Sequence, residues 1–287
     1  MKNKHIITVF MFLFILTNLS CSKNDGQDDF LDNSKEETRV GMVYGTTTQQ
    51  VFDLYLPANR SPLTTKTLIL VHGGSWVGGD KNDMNYLVNI LKQNLPTYAI
   101  ANMNYRLATA GNPAFPMQIN DIQLLISALK GSRFNFGISE QFGLIGVSAG
   151  GQLSMLYSYG FNGSNDVKMV CSIVGPTDFT DSNYVNNPIM VDSFASVTGV
   201  NYNENPTFYQ QISPLHRATS TSPPTLLLYG NQDPLVPTSQ GVNMNAKLNE
   251  LGVYNEFTLY NGGHGDWAIP DQLDAYGKLI TFIQNKL

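Results

Sequence analysis

Short apolar runs recur along the chain from residue 51 onward, and their lengths suit strands better than helices. Five of them are continuous, which is typical of strands buried on both faces of a parallel sheet; they are 67–71, 98–101, 142–145, 169–174 and 225–229. The segment 51–56 instead alternates apolar and polar residues and ends before Pro57. It predicts an antiparallel strand at a solvated edge of the sheet.

Helical patterns lie between the predicted strands. Apolar residues recur at i, i+3, i+4 and i+7 from Ile122 to Leu129, and they step by three and four from Leu273 to the chain end. Residues 238–251 form another candidate helix, which ends at Gly252. This alternation predicts an α/β fold, in which a mostly parallel central sheet carries helices on both faces.

One region breaks the alternation of strands and helices. Residues 176–223 are rich in Asn, Ser, Pro and Tyr, and they are long for a plain connection between two elements. We interpret them as a lid-like excursion from a single domain that covers residues 39–287.

The N-terminal residues are typical of a targeting segment rather than of a fold. Lys2 and Lys4 precede the apolar run 6–16, which is too short to span a bilayer, so residues 1–20 are predicted to be a signal peptide. Leu19-Ser20-Cys21 resembles a bacterial lipoprotein signal, which implies that Cys21 becomes the acylated first residue. An ordinary secreted signal peptide with an incidental Cys21 is the alternative.

The resemblance to a lipoprotein signal implies attachment to the outer membrane of a bacterium, with the protein outside the cytoplasm; a secreted or periplasmic protein is the alternative. Residues 21–38 are acidic and poor in apolar side chains, and we interpret them as a solvated tether. The other cysteine, Cys171, lies in an apolar run and is expected to be an inert core residue.

Composition narrows the functional classes further. The chain has 287 residues with 17 Lys and Arg against 22 Asp and Glu, and its net charge of −5 argues against a nucleic-acid binder. Hydrophobic residues make up 42%, enough for one sizeable core. Two cysteines do not form a disulfide framework, and their spacing matches no zinc or redox motif.

The motif with the most specific chemistry is the segment 146–150, Gly-Val-Ser-Ala-Gly. It follows a predicted strand and opens a predicted helix, which is the context of a nucleophile elbow. The turn in such an elbow is so tight that the neighbours of the serine must be small, and Gly146, Ala149, Gly150 and Gly151 meet that requirement. Ser148 is therefore the predicted nucleophile.

A serine hydroxyl needs a base to remove its proton. His264 lies in a glycine-rich loop after the short predicted strand 257–260 and is the predicted general base. The base needs a carboxylate to fix its tautomer, and Asp233 follows the strand 225–229. The order Ser148, Asp233, His264 is the one expected for an α/β-hydrolase. Asp178, after the preceding strand, and the nearby Asp266 remain alternatives for the acid.

The negative oxygen that forms during acyl transfer needs preorganised N–H donors. The amide of Ala149, directly after the nucleophile, is one candidate. The loop after strand 67–71 reads His72-Gly73-Gly74-Ser75-Trp76 and resembles the HGGG-type motif of esterases and lipases, with Ser75 in the place of the last glycine. That resemblance implies that Gly74 and Ser75 donate their amides and that His72 braces the loop.

These motifs together resemble the α/β-hydrolase esterases of the hormone-sensitive-lipase and BD-type feruloyl-esterase groups. Further landmarks, in order, are 53–57 (Asp-Leu-Tyr-Leu-Pro), 104–107 (Asn-Tyr-Arg-Leu) and 115–121 (Phe-Pro-Met-Gln-Ile-Asn-Asp). The resemblance implies a serine carboxylesterase that forms an acyl-enzyme on Ser148 and needs neither a metal nor an organic cofactor.

The resemblance also suggests the substrates. Short acyl or aryl esters are expected, with acetyl or feruloyl esters of polysaccharide preferred for an enzyme outside the cytoplasm. Trp76, Tyr105, Tyr184 and Trp267 are candidates both for a sugar or aryl site and for the core. Two other functions stay open: a serine exopeptidase of the prolyl-oligopeptidase type, in which an aromatic residue usually follows the nucleophile where this chain has Ala149, and a non-catalytic lipid-anchored binding protein.

Overall fold

The fold is described from a computed structural model that covers residues 32–287. The predicted signal peptide, Cys21 and the first part of the predicted tether lie outside these described residues. Within residues 32–287, no helix combines the length and the apolar character that crossing a membrane requires.

Eight strands form one sheet in the order β1-β2-β4-β3-β5-β6-β7-β8. β1 and β4 both pair antiparallel with β2, and the remaining pairs are parallel. The strands are β1 Glu37–Val43, β2 Val51–Leu56, β3 Thr67–Val71, β4 Ala99–Met103, β5 Phe142–Val147, β6 Val167–Ile173, β7 Thr225–Gly230 and β8 Asn255–Tyr260. The predicted mostly parallel α/β-hydrolase sheet is confirmed.

Ten α-helices connect these strands within the described part of the chain, together with a short 3-10 helix at Lys81–Met84. They are α1 Asn85–Asn94, α2 Ala114–Gly131, α3 Arg133–Phe136, α4 Ala149–Gly160, α5 Ser182–Val185, α6 Pro188–Thr198, α7 Pro206–Gln211, α8 Pro214–Arg217, α9 Thr238–Glu250 and α10 Ile269–Lys286. Helix α9 ends beside Gly252, which has the left-handed φ of +69° that favours glycine. The prediction for that helix end is confirmed.

Helices cover both faces of the sheet, and the side chains of β3 show why. Ile69 and Val71 belong to one apolar cluster, whereas Leu68 and Leu70 belong to another. Successive side chains of a strand point to opposite faces, so a continuous apolar run needs a helix layer on each side. The first cluster contains residues of α2, α4 and α9, and the second contains residues of α1 and α10.

The prediction that residues 51–56 form a solvated edge strand is wrong in one respect. The strand is antiparallel, but it lies between β1 and β4, so β1 is the edge. Its polar residue Asp53 is buried and forms an ion pair with Lys81 at 2.6 Å. The polar position in the alternating segment 51–56 is therefore explained by a buried ion pair and not by a solvent-exposed face.

The ordered domain also includes residues that the sequence analysis assigned to the tether 21–38. Strand β1 begins at Glu37, before the predicted domain start at residue 39. Just upstream, the carbonyl of Lys35 accepts a hydrogen bond from the buried guanidinium of Arg60 at 2.5 Å, and the carbonyl of Asn33 accepts one from the amide of Arg60 at 3.1 Å. These two contacts dock the chain onto the fold a few residues before β1.

The excursion 176–223 folds into helices α5 to α8 and packs through aromatic side chains. Phe194 of α6 contacts Phe179 and Tyr184 with ring centroids 4.9 and 5.1 Å apart, and Phe179 reaches Trp76 at 5.6 Å. Because Trp76 follows the predicted oxyanion loop directly, the excursion is packed against that loop.

Candidate active site

Ser148 lies at the sharp turn between β5 and α4. Its φ of +53° and ψ of −121° lie outside the regions that L-residues ordinarily adopt, and its amide donates to the carbonyl of Ile173 at 2.8 Å. A Cβ on Gly146 would collide with the carbonyl of Gly150, and one on Gly150 would collide with the carbonyl of Val71. The small residues around the serine are therefore a steric requirement of this turn.

The structure brings Ser148, His264 and Asp233 into one hydrogen-bonded chain, although they follow three different strands. His264 Nε2 lies 2.8 Å from Ser148 Oγ, and His264 Nδ1 lies 2.6 Å from Asp233 Oδ2. Because an ionised carboxylate can only accept hydrogen bonds, Nδ1 carries the proton and donates a hydrogen bond to Asp233. Nε2 is then free to accept the hydroxyl proton of Ser148.

Asp233 is held as a buried carboxylate. Its side chain is only 1% exposed, and its Oδ1 accepts hydrogen bonds from the amides of Leu235 and Val236 at 2.8 and 2.9 Å. Burial raises the pKa of Asp233, but the hydrogen bonds from His264, Val236 and Leu235 outweigh it and hold the pKa below its ordinary value. The acid is therefore ionised at neutral pH.

The hydrogen bonds in the structure distinguish Asp233 from the two alternative acids, Asp178 and Asp266. Asp178 Oδ1 accepts from the amide and the hydroxyl of Thr180, and it contacts a different histidine, His216 Nε2, at 3.2 Å. Asp266 is exposed, and within residues 32–287 no hydrogen bond joins it to His264. Of the three candidate carboxylates, only Asp233 contacts His264.

The candidate oxyanion loop lies against the predicted nucleophile. Gly73 is so close to it that a Cβ added to this glycine would lie 3.2 Å from Ser148 Cβ. Gly74 and Ser75 have φ values of +115° and +50°. Ser75 thus adopts the left-handed conformation that favours the glycine it replaces. Within residues 32–287, the amides of Gly74 and Ser75 donate no hydrogen bond, so both remain available to a ligand.

The amide of Ala149 is the third candidate donor. Ala149 is the first residue of α4, and the first amides of a helix have no partner inside the helix. The positive end of the helix dipole lies at the same place. The site thus presents unpaired N–H groups from two segments, the loop after β3 and the start of α4.

His72 is buried and braces the loop rather than facing the nucleophile. Its Nδ1 lies 2.6 Å from the carbonyl of Gly73, and its ring stacks on Tyr105 with centroids 4.2 Å apart. The hydroxyl of Tyr105 donates to the carbonyl of His72 at 3.0 Å. Burial lowers the pKa of His72, so the ring is neutral and serves as packing.

The four aromatic residues that were candidates for a substrate site separate into two groups. Tyr105 and Tyr184 are core residues, and the Tyr184 hydroxyl donates to the carbonyl of Leu235. Trp76 and Trp267 are also largely buried, but each lines a cavity. Cys171 is fully buried, which raises the pKa of its thiol and agrees with an inert core role.

The two cavities lie on opposite faces of the sheet. A cleft of about 590 Å³, including the space at its mouth, opens beside His264 and is lined by Trp267 and by residues of α1 and α10. A narrow cavity of about 340 Å³, again including the space at its mouth, lies between Trp76 and the excursion and is almost entirely apolar. Sequence reasoning missed three residues of the cleft, Tyr86, Gln272 and Tyr276, because α1 and the start of α10 carry no recognisable motif.

Comparisons with known proteins were made for the whole chain. Residues 52–248 match the BD-FAE family model. Within residues 32–287, no cluster of three or more His, Cys, Asp or Glu side chains could hold a metal ion.

Two curated relatives are esterases of Mycobacterium tuberculosis. Esterase LipC is 26% identical over 242 residues, which are 79% of this chain and 59% of that protein. Esterase LipQ is 26% identical over 207 residues, which are 68% of this chain and 48% of that protein. The chain therefore spans only about half to three fifths of the length of these relatives.

Among solved structures, a truncated form of a carbohydrate esterase from gut microbiota superimposes with a TM-score of 0.73. It is 20% identical, and the match covers 89% of this chain and 99% of that one. At this identity, the similarity establishes the fold alone.

Proposed function

We propose that this chain, which belongs to the BD-FAE family, is a serine carboxylic ester hydrolase with Ser148 as its nucleophile. One observation carries the proposal: His264 joins Ser148 Oγ and the buried Asp233 through its two different ring nitrogens, at 2.8 and 2.6 Å. A histidine held in this way can take a proton from the serine while the carboxylate stabilises the imidazolium that forms.

The first half of the reaction would transfer the acyl group to the serine. Ser148 Oγ attacks the ester carbonyl carbon, and its proton moves to His264 Nε2. The carbonyl oxygen becomes an oxyanion, for which the unpaired amides of Gly74, Ser75 and Ala149 are the proposed donors. The intermediate collapses as the carbon–oxygen bond to the alcohol breaks, and His264 Nε2 returns the proton to the leaving oxygen.

The second half of the reaction would release the carboxylic acid product from Ser148. A water molecule gives a proton to His264 Nε2 while its oxygen attacks the acyl-enzyme. Collapse of this second intermediate breaks the bond to Ser148 Oγ, which regains the proton from His264. Asp233 remains a carboxylate throughout, as its lowered pKa requires.

Short acyl or aryl esters are the proposed substrates, with acetyl or feruloyl esters of polysaccharide preferred. The esterase names of both curated relatives and the fold shared with a carbohydrate esterase support this class.

The proposed location is outside the cytoplasm, with the chain anchored to a bacterial membrane through an acylated Cys21; a secreted or periplasmic protein is the alternative. The support is the sequence pattern alone, since these residues lie outside the described range. Recovery in the membrane fraction that disappears in a Cys21→Ala variant would support the anchor. Recovery of the unsubstituted protein in the soluble fraction would overturn it.

A substrate panel tests the proposed activity. It contains 4-nitrophenyl acetate, butyrate and octanoate, methyl ferulate, acetylated xylan and dipeptide anilides, each with wild type and Ser148→Ala. We expect ester turnover that falls by several orders of magnitude in Ser148→Ala. Anilide turnover without ester turnover would favour the exopeptidase, and no turnover of any substrate would favour a binding protein. Ester turnover that survives Ser148→Ala would contradict the assigned nucleophile.

A further inference from the structure

The cleft beside His264 has a defined place relative to the predicted nucleophile. Its floor is formed by Val147, Ile173 and Leu228, which lie at or near the carboxyl ends of three neighbouring parallel strands. Val147 directly precedes Ser148, and His264 is among the residues that line the cleft. A group in the cleft therefore lies on the histidine side of the serine.

The chemistry of the proposed reaction assigns that side to one half of the ester. The proton that His264 Nε2 takes from Ser148 must be delivered to the leaving oxygen, so the alcohol of the ester has to lie within hydrogen-bond reach of Nε2. The acyl group remains on the serine and needs no contact with the histidine. The cleft that is lined in part by His264 is therefore suited to the alcohol half of the ester.

The lining of the cleft combines aromatic faces with unused polar groups. The rings of Tyr86 and Tyr276 face one another across α1 and α10, with centroids 6.4 Å apart. Within residues 32–287, neither hydroxyl forms a hydrogen bond, and Gln272 uses only its Nε2, which donates to the carbonyl of Trp267 at 2.7 Å. Burial raises the pKa of Tyr86 to about 12 and raises the pKa of Tyr276 as well, so both hydroxyls are neutral donors at neutral pH.

The cavity on the opposite face lacks such groups, although polar residues lie along it. The side-chain amide of Gln152 is used by the Trp76 indole and by the carbonyl of Ile212, and the Thr198 hydroxyl donates to the carbonyl of Phe194. Its polar atoms are thus already satisfied within the protein. A hydroxyl-rich group placed there would lose its hydrogen bonds to water without replacement.

We propose that the cleft lined by Tyr86, Gln272 and Tyr276 is the binding site for the alcohol half of the ester, and that it selects a sugar ring. The two hydroxyls and the Gln272 Oε1 offer hydrogen bonds to ring hydroxyls, and the aromatic rings offer faces for the C–H surface of the sugar. This inference rests on the proposed esterase function.

The test uses esters that share one acyl group and differ only in the alcohol. Acetylated methyl xyloside, ethyl acetate and 4-nitrophenyl acetate all give the same acetyl-enzyme, so any difference between them arises from the alcohol. The variants are Tyr86→Phe, Tyr276→Phe and Gln272→Trp, of which the last fills the half-exposed mouth of the cleft. Tyr254→Phe is the matched control, because this tyrosine is half exposed and lies just before β8, at the opposite ends of the strands.

We expect kcat/KM for the sugar acetate to fall about three- to tenfold in each tyrosine variant, as the loss of one hydrogen bond predicts, and further in Gln272→Trp. Ethyl acetate, whose alcohol carries no ring hydroxyls, should stay within about twofold in the two tyrosine variants, and Tyr254→Phe should change none of the three substrates. Equal losses on all three esters, no loss on the sugar acetate, or a wild type that hydrolyses only the simple esters would overturn the inference. A wild type that hydrolyses no ester at all would instead contradict the proposed function.

Discussion

Residues 32–287 contain two histidine–aspartate pairs, and they differ in geometry and in solvent access. His264 binds Asp233 through Nδ1 and Ser148 through Nε2, so the ring connects an acid with a nucleophile. His216 uses a single nitrogen, Nε2, which lies 3.2 Å from Asp178 and 3.2 Å from the hydroxyl of Thr180. Within residues 32–287, Nδ1 of His216 has no hydrogen-bond partner, so this ring does not link an acid to a second group through its two nitrogens.

Solvent access separates the two pairs as well. The side chains of Asp233 and His264 are 1% and 22% exposed, whereas those of Asp178 and His216 are 13% and 36% exposed. Water screens an exposed pair, and a buried pair is screened much less. Asp233, which is the more buried acid and whose histidine uses both ring nitrogens, is therefore the stronger candidate for the catalytic acid.

The largest expected difference lies in the histidines. We expect His264→Ala to lower kcat/KM for 4-nitrophenyl acetate by about 10⁴- to 10⁶-fold, because Ser148 loses its base. His216→Ala should stay within about threefold. Steady-state kinetics of the two purified variants, with circular dichroism to verify folding, make the comparison. Similar losses in both variants would show that the two pairs are not functionally distinct.

The acids should differ in the same direction. Asp233→Asn keeps the shape of the side chain but cannot hold Nδ1 protonated, and we expect a loss of about 10⁴-fold in kcat. Asp178→Asn can still accept from the amide of Thr180, and its kcat should change less than about threefold. If Asp178→Asn causes the greater loss, Asp178 is the acid and the geometric assignment is wrong.

The sequence could not choose between these two carboxylates by itself. Both follow strands that end at the same edge of a parallel sheet, so both are placed near the nucleophile by topology alone. The order of motifs favoured Asp233, and in the structure Asp178 contacts Thr180 and His216, on a short helix of the excursion, instead of His264. Asp178 and His216 are 38 positions apart in the sequence, and no local sequence pattern predicts their contact.

Other parts of the fold followed from local rules. The turn at Ser148 could be predicted because steric contacts at Gly146 and Gly150 leave few sequences able to form it. The continuous apolar runs predicted the parallel strands because side chains on both faces of these strands are buried under helices. The position of β2 inside the sheet could not be predicted, because a buried Asp53–Lys81 pair and a solvated face give the same alternation along the sequence.

The pH dependence of stability offers a smaller but independent test of the buried pair. Because the pKa of Asp233 is lowered in the folded protein, its carboxylate stabilises the fold above its unfolded-state pKa of about 3.9. That contribution is lost as the pH falls through the lower, folded value. We therefore expect wild type to lose stability more steeply than Asp233→Asn below about pH 4.

Urea unfolding of wild type and Asp233→Asn between about pH 3 and pH 7 measures this effect. Other carboxylates titrate in both proteins, so the difference between the two curves reports on Asp233 together with its partner His264. A difference in the free energy of unfolding that does not change with pH would contradict the lowered pKa.

The smallest expected effect belongs to the second pair. The contact between His216 and Asp178 is partly exposed, and such pairs contribute about 0–1 kcal/mol. A double-mutant cycle with His216→Ala and Asp178→Ala, followed by urea unfolding at neutral pH, should give a coupling energy below about 1 kcal/mol. A clearly larger coupling would mean that this pair is structurally important after all.

Transfer of the acyl group to Ser148 is tested most directly by trapping the acyl-enzyme. Wild type and Ser148→Ala would be mixed with 4-nitrophenyl acetate, quenched in acid within the first turnover, and analysed by intact mass and by peptide mapping. We predict one added acetyl group on wild type, located at Ser148, and none on Ser148→Ala. An acetyl group on another residue, or hydrolysis that proceeds equally well in Ser148→Ala, would contradict the account.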